Sequence, residues 1–512
     1  MANTCIVSGQ AAGSGEHVFP AALGGRRINK NIYCTKHDNG YSGLVAALAG
    51  QLDVINALLG VVPDHSNEVK SVLARDVSSG EELRISVKQA SFTAPRVLSQ
   101  EKTDTGTLMN MSFPTREAMR TWLAEQEAKG VKVTPLRKAE ERPIYLGEVH
   151  HQRQFGGPFG LGAVGYVSQT FLAQAFPELA RSGALAEFIT YTQAVAALAQ
   201  MPVAGGEVAE GLPDPTLQLA QATLEAALAP WGGQAPVWWD FEPQPNATPN
   251  QFNFGHRVTV GVDALDGQIF GRFALFSSLH FSVLFGKASA GVVSRTVTVD
   301  IDPMAAHPPN DIAKTEVTEA TARVTRPSEA MAGLATAIAD KSQAAVFNDL
   351  FRRIQAHSLS KTAEAIHTAL AVYPTLSEFE GDQLLARVID GQSQRILNMM
   401  KFVLEGFKKT LPSGLPPAFG AGIDAMTAYD PSSGNGLSTV ATATLELAKG
   451  ALISQMREDL KNNLLDKRRI EELMGEGPGA AVVGAAVLAP ITQALGGEQQ
   501  IGRASCRERV CT

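Results

Sequence analysis

The first forty residues carry the feature that most constrains the fold, a cluster of soft metal ligands around an acid–histidine pair. Cys5-Ile-Val-Ser8 and Cys34-Thr-Lys-His37 are two pairs with knuckle spacing, and Glu16-His17 lies between them. Two such pairs can bind one tetrahedral ion, and an acid–histidine dipeptide suits a metal-assisted hydrolase. The sequence therefore predicts a small metal site near the N-terminus.

The overall charge of the chain does not indicate a nucleic-acid-binding protein. The 512 residues have a net charge of −7. A protein needs positive charge only where it contacts phosphate, and Arg26, Arg27, Lys30 and Lys36 make the N-terminal segment locally positive. We predict that these four side chains contact nucleic acid, the alternative being an ordinary solvated face.

Two of the four cysteines, Cys506 and Cys511, lie in the closing residues 501–512. That string resembles translated read-through into a sequencing adapter, so we interpret it as an assembly artefact and expect few buried contacts from it. The alternative is an ordinary basic tail. The other cysteines, Cys5 and Cys34, then both belong to the metal cluster and leave no disulfide framework. A reducing compartment and the absence of a signal-peptide pattern predict a cytoplasmic protein.

The pattern of elements predicts an α+β multidomain protein, because 45% hydrophobic content suffices for several cores. We expect a metal-binding module over 1–62, a mixed α/β region with antiparallel hairpins over 63–315, a helical region over 316–475 and a tail over 476–512. Within the first module, one helical face carries four apolar residues, Leu44, Leu48, Leu52 and Ile55.

The region 63–315 contains clear turn signals and two apolar helical stretches. Hairpins are predicted around Ser78-Ser-Gly80 and around Asp266-Gly267. Helices are predicted over 114–130, 161–176 and 183–198. His256 and His280 lie on predicted strands, where a core or edge histidine is expected rather than a metal ligand. The apolar segment 479–495 is short and contains Pro490, so we predict a buried or flexible helix and no membrane span.

The N-terminal cluster resembles the HNH endonucleases, over about residues 5–60. The residues that carry the resemblance are Glu16-His17-Val-Phe-Pro20, the Gly24-Gly25 turn, and the second knuckle with Asp38 and Asn39 after it. The resemblance implies a ββα-metal fold, in which a hairpin carries the histidine and a helix returns a metal ligand beneath it.

The resemblance assigns His17 as general base, and a neutral imidazole can take a proton from water near neutral pH. It makes Glu16 and Asp38 the oxygen ligands of Mg²⁺ or Mn²⁺, although His or Asn is more usual at the position of Asp38. Asn29 or Asn31 would orient His17. Asn39 is an alternative to Asp38 at the metal.

The resemblance also implies that Cys5, Cys34 and His37 hold a structural Zn²⁺. The chain departs from the family at Ser8, where a cysteine is expected and a neutral hydroxyl is a poor zinc ligand. Three alternatives remain: three protein ligands with water, recruitment of another residue such as His65, or a packed remnant without zinc.

We therefore expect a metal-dependent HNH-type endonuclease that hydrolyses nucleic acid. The resemblance to this family implies that the substrate is DNA. The alternative is a catalytically inactive zinc-knuckle protein that binds nucleic acid or a protein partner. The acid–histidine pair favours the nuclease, because a pure binding knuckle does not need it. A third possibility is a helical scaffold with a vestigial N-terminal segment.

Overall fold

The structure is a computed structural model that divides into two compact units. Unit 1 comprises Met1–Val72, Ile85–Ala90 and Gln152–Arg352, and unit 2 comprises Leu73–Arg84, Ser91–His151 and Arg353–Thr512. The described residues are 3–491 apart from 67, 78, 88–89, 105, 137–144, 146–147, 202–214, 241–248, 290–293, 318–323, 325–328, 412–416, 431–432 and 434. The predicted artefact 501–512, with Cys506 and Cys511, lies outside them.

Unit 1 begins with a short antiparallel hairpin followed by three helices. Its elements are β1 (Glu16–His17), β2 (Ile28–Asn29), α1 (Thr35–Gly40), α2 (Ser42–Gln51) and α3 (Asp53–Leu59). In the hairpin Glu16 pairs with Asn29 and His17 pairs with Ile28. The predicted apolar face is divided between α2 and α3, which bend by 63° at their junction. Its four residues are all buried, as expected: Leu44, Leu48, Leu52 and Ile55.

The connection between β1 and β2 covers residues 18–27, contains a short 3₁₀ helix (Ala21–Leu23) and ends in a turn that requires two glycines. Gly24 has φ +86°, and a Cβ there would lie 2.6 Å from the backbone of Pro303. A Cβ on Gly25 would lie 1.9 Å from the carbonyl oxygen of Phe19. Both positions therefore exclude a side chain, the first by conformation and close approach and the second by close approach alone. The Gly-Gly pair holds the chain so that β2 can return beside β1.

A helical layer and a six-stranded sheet complete unit 1. The helices are α5 (Gly157–Ala175), α6 (Pro177–Arg181), α7 (Ala186–Ala199) and α8 (Pro215–Leu228). The predicted helices 161–176 and 183–198 correspond to α5 and α7. The antiparallel sheet has the order β14-β13-β10-β11-β12-β9. Its strands are β9 (Val237–Asp240), β10 (His256–Val262), β11 (Gln268–Leu275), β12 (Leu279–Lys287), β13 (Arg295–Ile301) and β14 (Asp311–Val317).

Helix α5 packs between this sheet and α2, so it is buried along most of its length. The hairpin predicted around Asp266-Gly267 is confirmed, with Val258 opposite Phe273 and Val262 opposite Ile269. Apolar side chains of β10 and β11 supply much of the core. The sheet and α5 together form the support on which the N-terminal hairpin lies.

His256 is a fully buried core histidine, as predicted. With the tautomer that satisfies both neighbours, its Nε2 donates to the carbonyl oxygen of Leu23 (3.1 Å) and its Nδ1 accepts from the backbone N–H of Phe276 (3.2 Å). Its ring stacks on Phe19 with centroids 4.8 Å apart. Burial lowers the pKa of His256 to about 3, so the ring is neutral. Because Phe19 and Leu23 belong to the turn after β1, His256 fixes that turn on the sheet.

Unit 2 contains short strands, one separate helix and a helical bundle. The strands are β3 (Val72–Asp76), β4 (Glu82–Ile85), β5 (Ala90–Phe92), β6 (Arg96–Thr103), β7 (Gly106–Ser112) and β8 (Val149–His150), with α4 (Arg116–Ala128) after β7. Strands β5-β4-β3-β8 form one sheet and β6-β7 another. The neighbouring β3 and β4 agree with the hairpin predicted around Gly80, and α4 agrees with the helix predicted over 114–130.

The bundle confirms the predicted helical C-terminal region. Its helices are α9 (Glu329–Leu370, which begins in unit 1), α10 (Glu378–Asp390), α11 (Ser393–Thr410), α12 (Pro417–Ala425), α13 (Thr439–Lys461), α14 (Lys467–Met474) and α15 (Pro478–Ile491). Ile396, Met399 and Met400 are buried in its core. Across the described parts of the chain, no one helix has the length and apolar composition of a membrane span. Two pairs of consecutive helices, α2–α3 and α14–α15, have the required length and composition only when the two helices of a pair are taken together, and each pair is bent.

Candidate metal and catalytic site

The two knuckle segments converge, and three predicted ligands lie together. The Sγ atoms of Cys5 and Cys34 lie 3.5 and 3.1 Å from Nδ1 of His37. Zinc bonds of about 2.3 Å to sulfur and 2.0 Å to nitrogen, at a tetrahedral angle, put these atoms about 3.5 Å apart. The donor set and its spacing therefore fit one zinc ion.

The surroundings favour the zinc-binding forms of Cys5 and His37. Burial by itself raises the pKa of the Cys5 thiol, but backbone N–H groups of Cys34, Ser8 and Val7 and the Ser8 hydroxyl donate to the sulfur, and the net shift is downward. Partial burial, followed by the charge of Lys36, lowers the pKa of His37. A stabilised thiolate and a neutral imidazole are the forms that bind zinc.

Ser8 is exposed and lies beside the cluster, where its hydroxyl contacts the sulfur of Cys5. The metal-competent group at the knuckle consists of Cys5, Cys34 and His37, without Ser8. His65, which the sequence suggested as a replacement ligand, instead lies beside His17 and Asp64. The fourth coordination position is thus next to a hydroxyl rather than a thiolate.

A second pair of predicted ligands meets between the hairpin and α1. The carboxyl group of Glu16, on β1, hydrogen-bonds with that of Asp38, on α1. The hydroxyl of Ser14 donates to Oδ2 of Asp38. Burial and the neighbouring Asp38 raise the pKa of Glu16 to about 9, so without a cation the carboxyl group of Glu16 keeps its proton at neutral pH. Two carboxylates held this close are a suitable ligand pair for a divalent cation.

Three buried tyrosines lie behind this pair. The hydroxyl of Tyr166, on α5, donates to Oε1 of Glu16 over 2.6 Å. Its ring stacks on Tyr41 with centroids 4.3 Å apart, and Tyr33 lies 5.8 Å away. Burial raises the pKa of Tyr166 far above its usual value, so the hydroxyl stays protonated and remains a donor. The Glu16 side chain is therefore oriented by a rigid aromatic wall.

A hydrogen-bond network fixes that wall. Gln169 donates from Nε2 to the hydroxyl of Tyr33 (3.1 Å) and accepts at Oε1 from Thr192 (2.9 Å). The Thr192 hydroxyl lies 3.4 Å from that of Tyr41. The Tyr33 hydroxyl lies 3.0 Å from that of Thr170. These polar groups are buried and have hydrogen-bond partners. The network restricts the side chains to one arrangement of the three tyrosines, at a cost in conformational entropy.

His17 lies on the opposite side of β1 from Glu16, as expected for adjacent strand residues. Its Nε2 is 2.9 Å from Oδ2 of Asp64, and Arg26 bonds the other carboxylate oxygen over 2.9 Å. These bonds to His17 and Arg26 lower the pKa of Asp64. An ionised Asp64 only accepts, so Nε2 of His17 carries the proton and Nδ1 has the free lone pair. Within the described residues, Nδ1 makes no hydrogen bond.

Among the described residues, the predicted asparagines make no hydrogen bond to His17. Asn29 donates to Gln174 and accepts from the backbone N–H of Asn31 over 2.7 Å. Asn39 is exposed on α1. The orienting partner of His17 is Asp64, which the sequence did not single out because it follows the end of the motif. The predicted hairpin did not indicate that Asp64 lies beside His17 either.

The four basic residues predicted to contact nucleic acid occupy different environments. Arg26 is 8% exposed, and besides Asp64 it bonds the carbonyl oxygens of Val62 and Ala305. It is therefore a structural residue, because both of its terminal NH₂ groups already donate inside the unit. Arg27 pairs with Asp311 over 2.7 Å and remains partly exposed. Lys30 and Lys36 are exposed.

Comparison of the chain with protein-family models, with curated proteins and with solved structures gives no match.

Proposed function

We propose that the chain is a metal-dependent HNH-type endonuclease that hydrolyses phosphodiester bonds in nucleic acid. The observation that carries the proposal is the contact of Glu16, on a hairpin strand, with Asp38, on the helix that follows, while His17 occupies the next position of the strand. The order of strand, strand and helix and the acid–histidine pair agree with the sequence resemblance. DNA as substrate and a cytoplasmic location belong to the same proposal.

Glu16 and Asp38 would hold the catalytic Mg²⁺ or Mn²⁺. Their carboxyl oxygens suit a hard divalent cation, and binding releases the proton of Glu16. Such a cation supplies electrostatic stabilisation of the charge that develops on the phosphodiester oxygens. The Tyr166 hydroxyl keeps Oε1 of Glu16 in place, so the ligand pair is preorganised by the protein.

His17 would act as the general base. Asp64 fixes the tautomer by accepting the Nε2 proton, which leaves Nδ1 to take a proton from water. The water oxygen then bonds to phosphorus, the bond to one ester oxygen breaks, and that oxygen leaves with a proton from solvent. Asp64 also stabilises the imidazolium that forms. Asp64 is a positioning residue in this scheme.

The knuckle would hold a structural zinc. It connects the chain before β1, at Cys5, to the first turn of α1, at Cys34 and His37. Because Asp38 directly follows His37, an ion bound here would fix the start of α1 and hence the position of the Asp38 carboxylate. Lys30 and Lys36 are exposed on the same segment and would contact phosphates.

The test is cleavage of supercoiled plasmid DNA by the purified chain, with Mg²⁺, with Mn²⁺ and with a chelator. We expect metal-dependent cleavage that falls by about 10²- to 10⁴-fold in His17→Ala. His367→Ala, which removes an exposed histidine on α9, is the matched control and keeps the wild-type rate. Cleavage by His17→Ala at the wild-type rate would contradict the mechanism.

A second candidate function is that of a zinc-knuckle binding protein without nuclease activity. The hydrogen bond between Glu16 and Asp38 favours it, since the pair is satisfied without any cation. The same purified protein distinguishes the two functions. Retardation of DNA in a gel without cleavage in Mg²⁺ or Mn²⁺ supports the binding protein, and cleavage excludes it.

A further inference from the structure

A third group of metal-competent side chains lies on the His17 side of the hairpin. It consists of His17 on β1 and of Asp64 and His65 in the segment after α3. One ligand atom from each residue lies within 4.8 Å of the other two. The two imidazole rings meet edge to face, with centroids 4.8 Å apart and an angle of 83° between their planes. The carboxylate of Asp64 thus lies beside two imidazoles.

We infer that His17, Asp64 and His65 form a binding site for a late first-row divalent ion such as Zn²⁺, separate from the knuckle. Two imidazoles and one carboxylate are a common ligand set for zinc with one open position. Tetrahedral zinc puts a ligating nitrogen and oxygen about 3.3 Å apart. Nε2 of His17 and Oδ2 of Asp64 are 2.9 Å apart, so this pair needs to widen by only a few tenths of an ångström, and a ligand atom of His65 lies within 4.8 Å of both.

The surroundings hold the Asp64 carboxylate in a suitable orientation. Arg26 binds Oδ1, which leaves Oδ2 directed at the imidazole of His17. The same guanidinium bonds the carbonyl oxygens of Val62 and Ala305, and the backbone N–H of Asp64 donates to Ala21. Contacts of this kind around a ligand typically control metal affinity. The ligand segment is therefore fixed before any ion binds.

The exposure of the three residues gives the site an entrance. His17 has 11% of its side chain exposed and Asp64 has 25%, whereas His65 is an exposed residue. An ion can therefore arrive from the His65 side, where solvent would complete its coordination. Imidazole ligands favour zinc over magnesium, so this site and the Glu16–Asp38 pair select different ions.

Occupation of the site has a consequence that rests on the proposed function. A bound ion would take the place of the proton on Nε2 of His17, which moves to Nδ1, and would replace the hydrogen bond to Asp64. The orientation and tautomer that suit His17 as a base are then lost. Zinc at this site and general-base catalysis by His17 exclude each other, which would make the nuclease sensitive to inhibition by zinc.

The test measures zinc binding alone and uses no DNA, so its outcome is independent of nuclease activity. Chelator-stripped full-length protein is titrated with Zn²⁺ by calorimetry, for wild type, for His65→Ala and for the control His367→Ala. We expect His65→Ala to lose one bound equivalent, or to bind it at least about tenfold more weakly. The control should match wild type. This difference does not depend on whether the Cys5–Cys34–His37 knuckle binds zinc.

Cobalt(II) identifies the ligands of the equivalent that is lost. Ligation by nitrogen and oxygen alone gives visible d–d absorption without the thiolate-to-cobalt charge-transfer band. We expect the spectrum of wild type minus that of His65→Ala to lack that band. Identical zinc stoichiometry and affinity in wild type and His65→Ala would overturn the assignment, as would a thiolate band in the difference spectrum.

Discussion

The hydroxyl of Tyr166 lies 2.6 Å from Oε1 of Glu16 and donates to it. These residues are 150 positions apart in the chain. The hairpin that carries the acid–histidine pair is therefore completed by a donor from α5, which the sequence motif does not contain.

Replacing Tyr166 with phenylalanine removes the donor that lowers the pKa of Glu16. We expect weaker binding of the catalytic cation, so that more Mg²⁺ is needed for half-maximal cleavage, by about tenfold for the loss of a hydrogen bond to a charged group. Tyr191→Phe, another buried tyrosine of unit 1, is the control and should leave the Mg²⁺ dependence unchanged. An unchanged requirement in Tyr166→Phe would show that the hydroxyl does not support the ligand.

Asp64→Asn keeps the shape of the side chain but removes the negative charge between His17 and Arg26. An amide can donate to Nε2 of His17 and so select the other tautomer. We expect the cleavage rate to fall by about 10²-fold, within the range of general-base contributions. The variant Asp311→Asn, which breaks only the pair with the partly exposed Arg27, serves as control. Equal rates for the two variants would argue against the positioning role.

Ser8→Cys adds a thiolate beside the three-ligand knuckle. We expect the wild type to hold zinc weakly or at less than one equivalent at this position, and the variant to bind it more tightly and melt at a higher temperature. Zinc analysis after dialysis against a chelator measures the first effect and calorimetry the second. Ser99→Cys, on the exposed strand β6, adds a thiol elsewhere and should change neither. Tight zinc at the Cys5 and Cys34 thiolates of the wild type, identified by the thiolate charge-transfer band of the cobalt(II) form, would point to an overlooked ligand.

His256 gives unit 1 a stability that depends on pH. Its folded pKa of about 3 lies below the ordinary 6.5, so between these values the unfolded chain binds a proton that the folded chain does not. Stability is therefore lost as pH falls below 6.5, at about 1.4 kcal/mol per pH unit. Urea unfolding followed by tryptophan fluorescence suits this test because Trp231, Trp238 and Trp239 lie in the same unit.

The comparison variant is His256→Gln, which retains one donor and one acceptor but does not titrate. The difference in unfolding free energy between wild type and this variant should shrink by about 2 kcal/mol between pH 7 and pH 5. A constant difference would mean that the His256 ring is already protonated, or is accessible to water, in the folded state.

Sequence patterns predicted features that depend on local spacing. The knuckle pairs at Cys5 and Cys34, the paired strands around Gly267 and the apolar helices α5 and α7 all follow from patterns shorter than twenty residues. The structure brings Cys5, Cys34 and His37 together because β2 returns the chain after the Gly24-Gly25 turn. Local spacing and residue type thus indicated both the elements and the ligand types.

Contacts made across long stretches of chain could not be predicted in this way. Tyr166 and Gln169 lie in helix α5, whose composition indicates only that it is buried. The Tyr166 hydroxyl donates to Glu16 and the Gln169 amide donates to Tyr33. Asp64 lies just beyond the motif, where no spacing rule applies. The sequence predicts that Arg26 is an exposed charge. In the structure it is buried and hydrogen-bonds to residues 62, 64 and 305. Burial of a charge depends on the tertiary structure.

The position of α5 behind the hairpin determines when the candidate site can form during synthesis. Glu16, Asp38 and His17 leave the ribosome well before Tyr166 and Gln169, and the aromatic wall cannot close until α5 has emerged. Domains generally fold as units as the chain is synthesised. A nascent chain that ends before residue 157 lacks the donor to Glu16 and the support of Tyr33. Premature termination would therefore release an N-terminal fragment that contains the whole motif but lacks the α5 donor to Glu16.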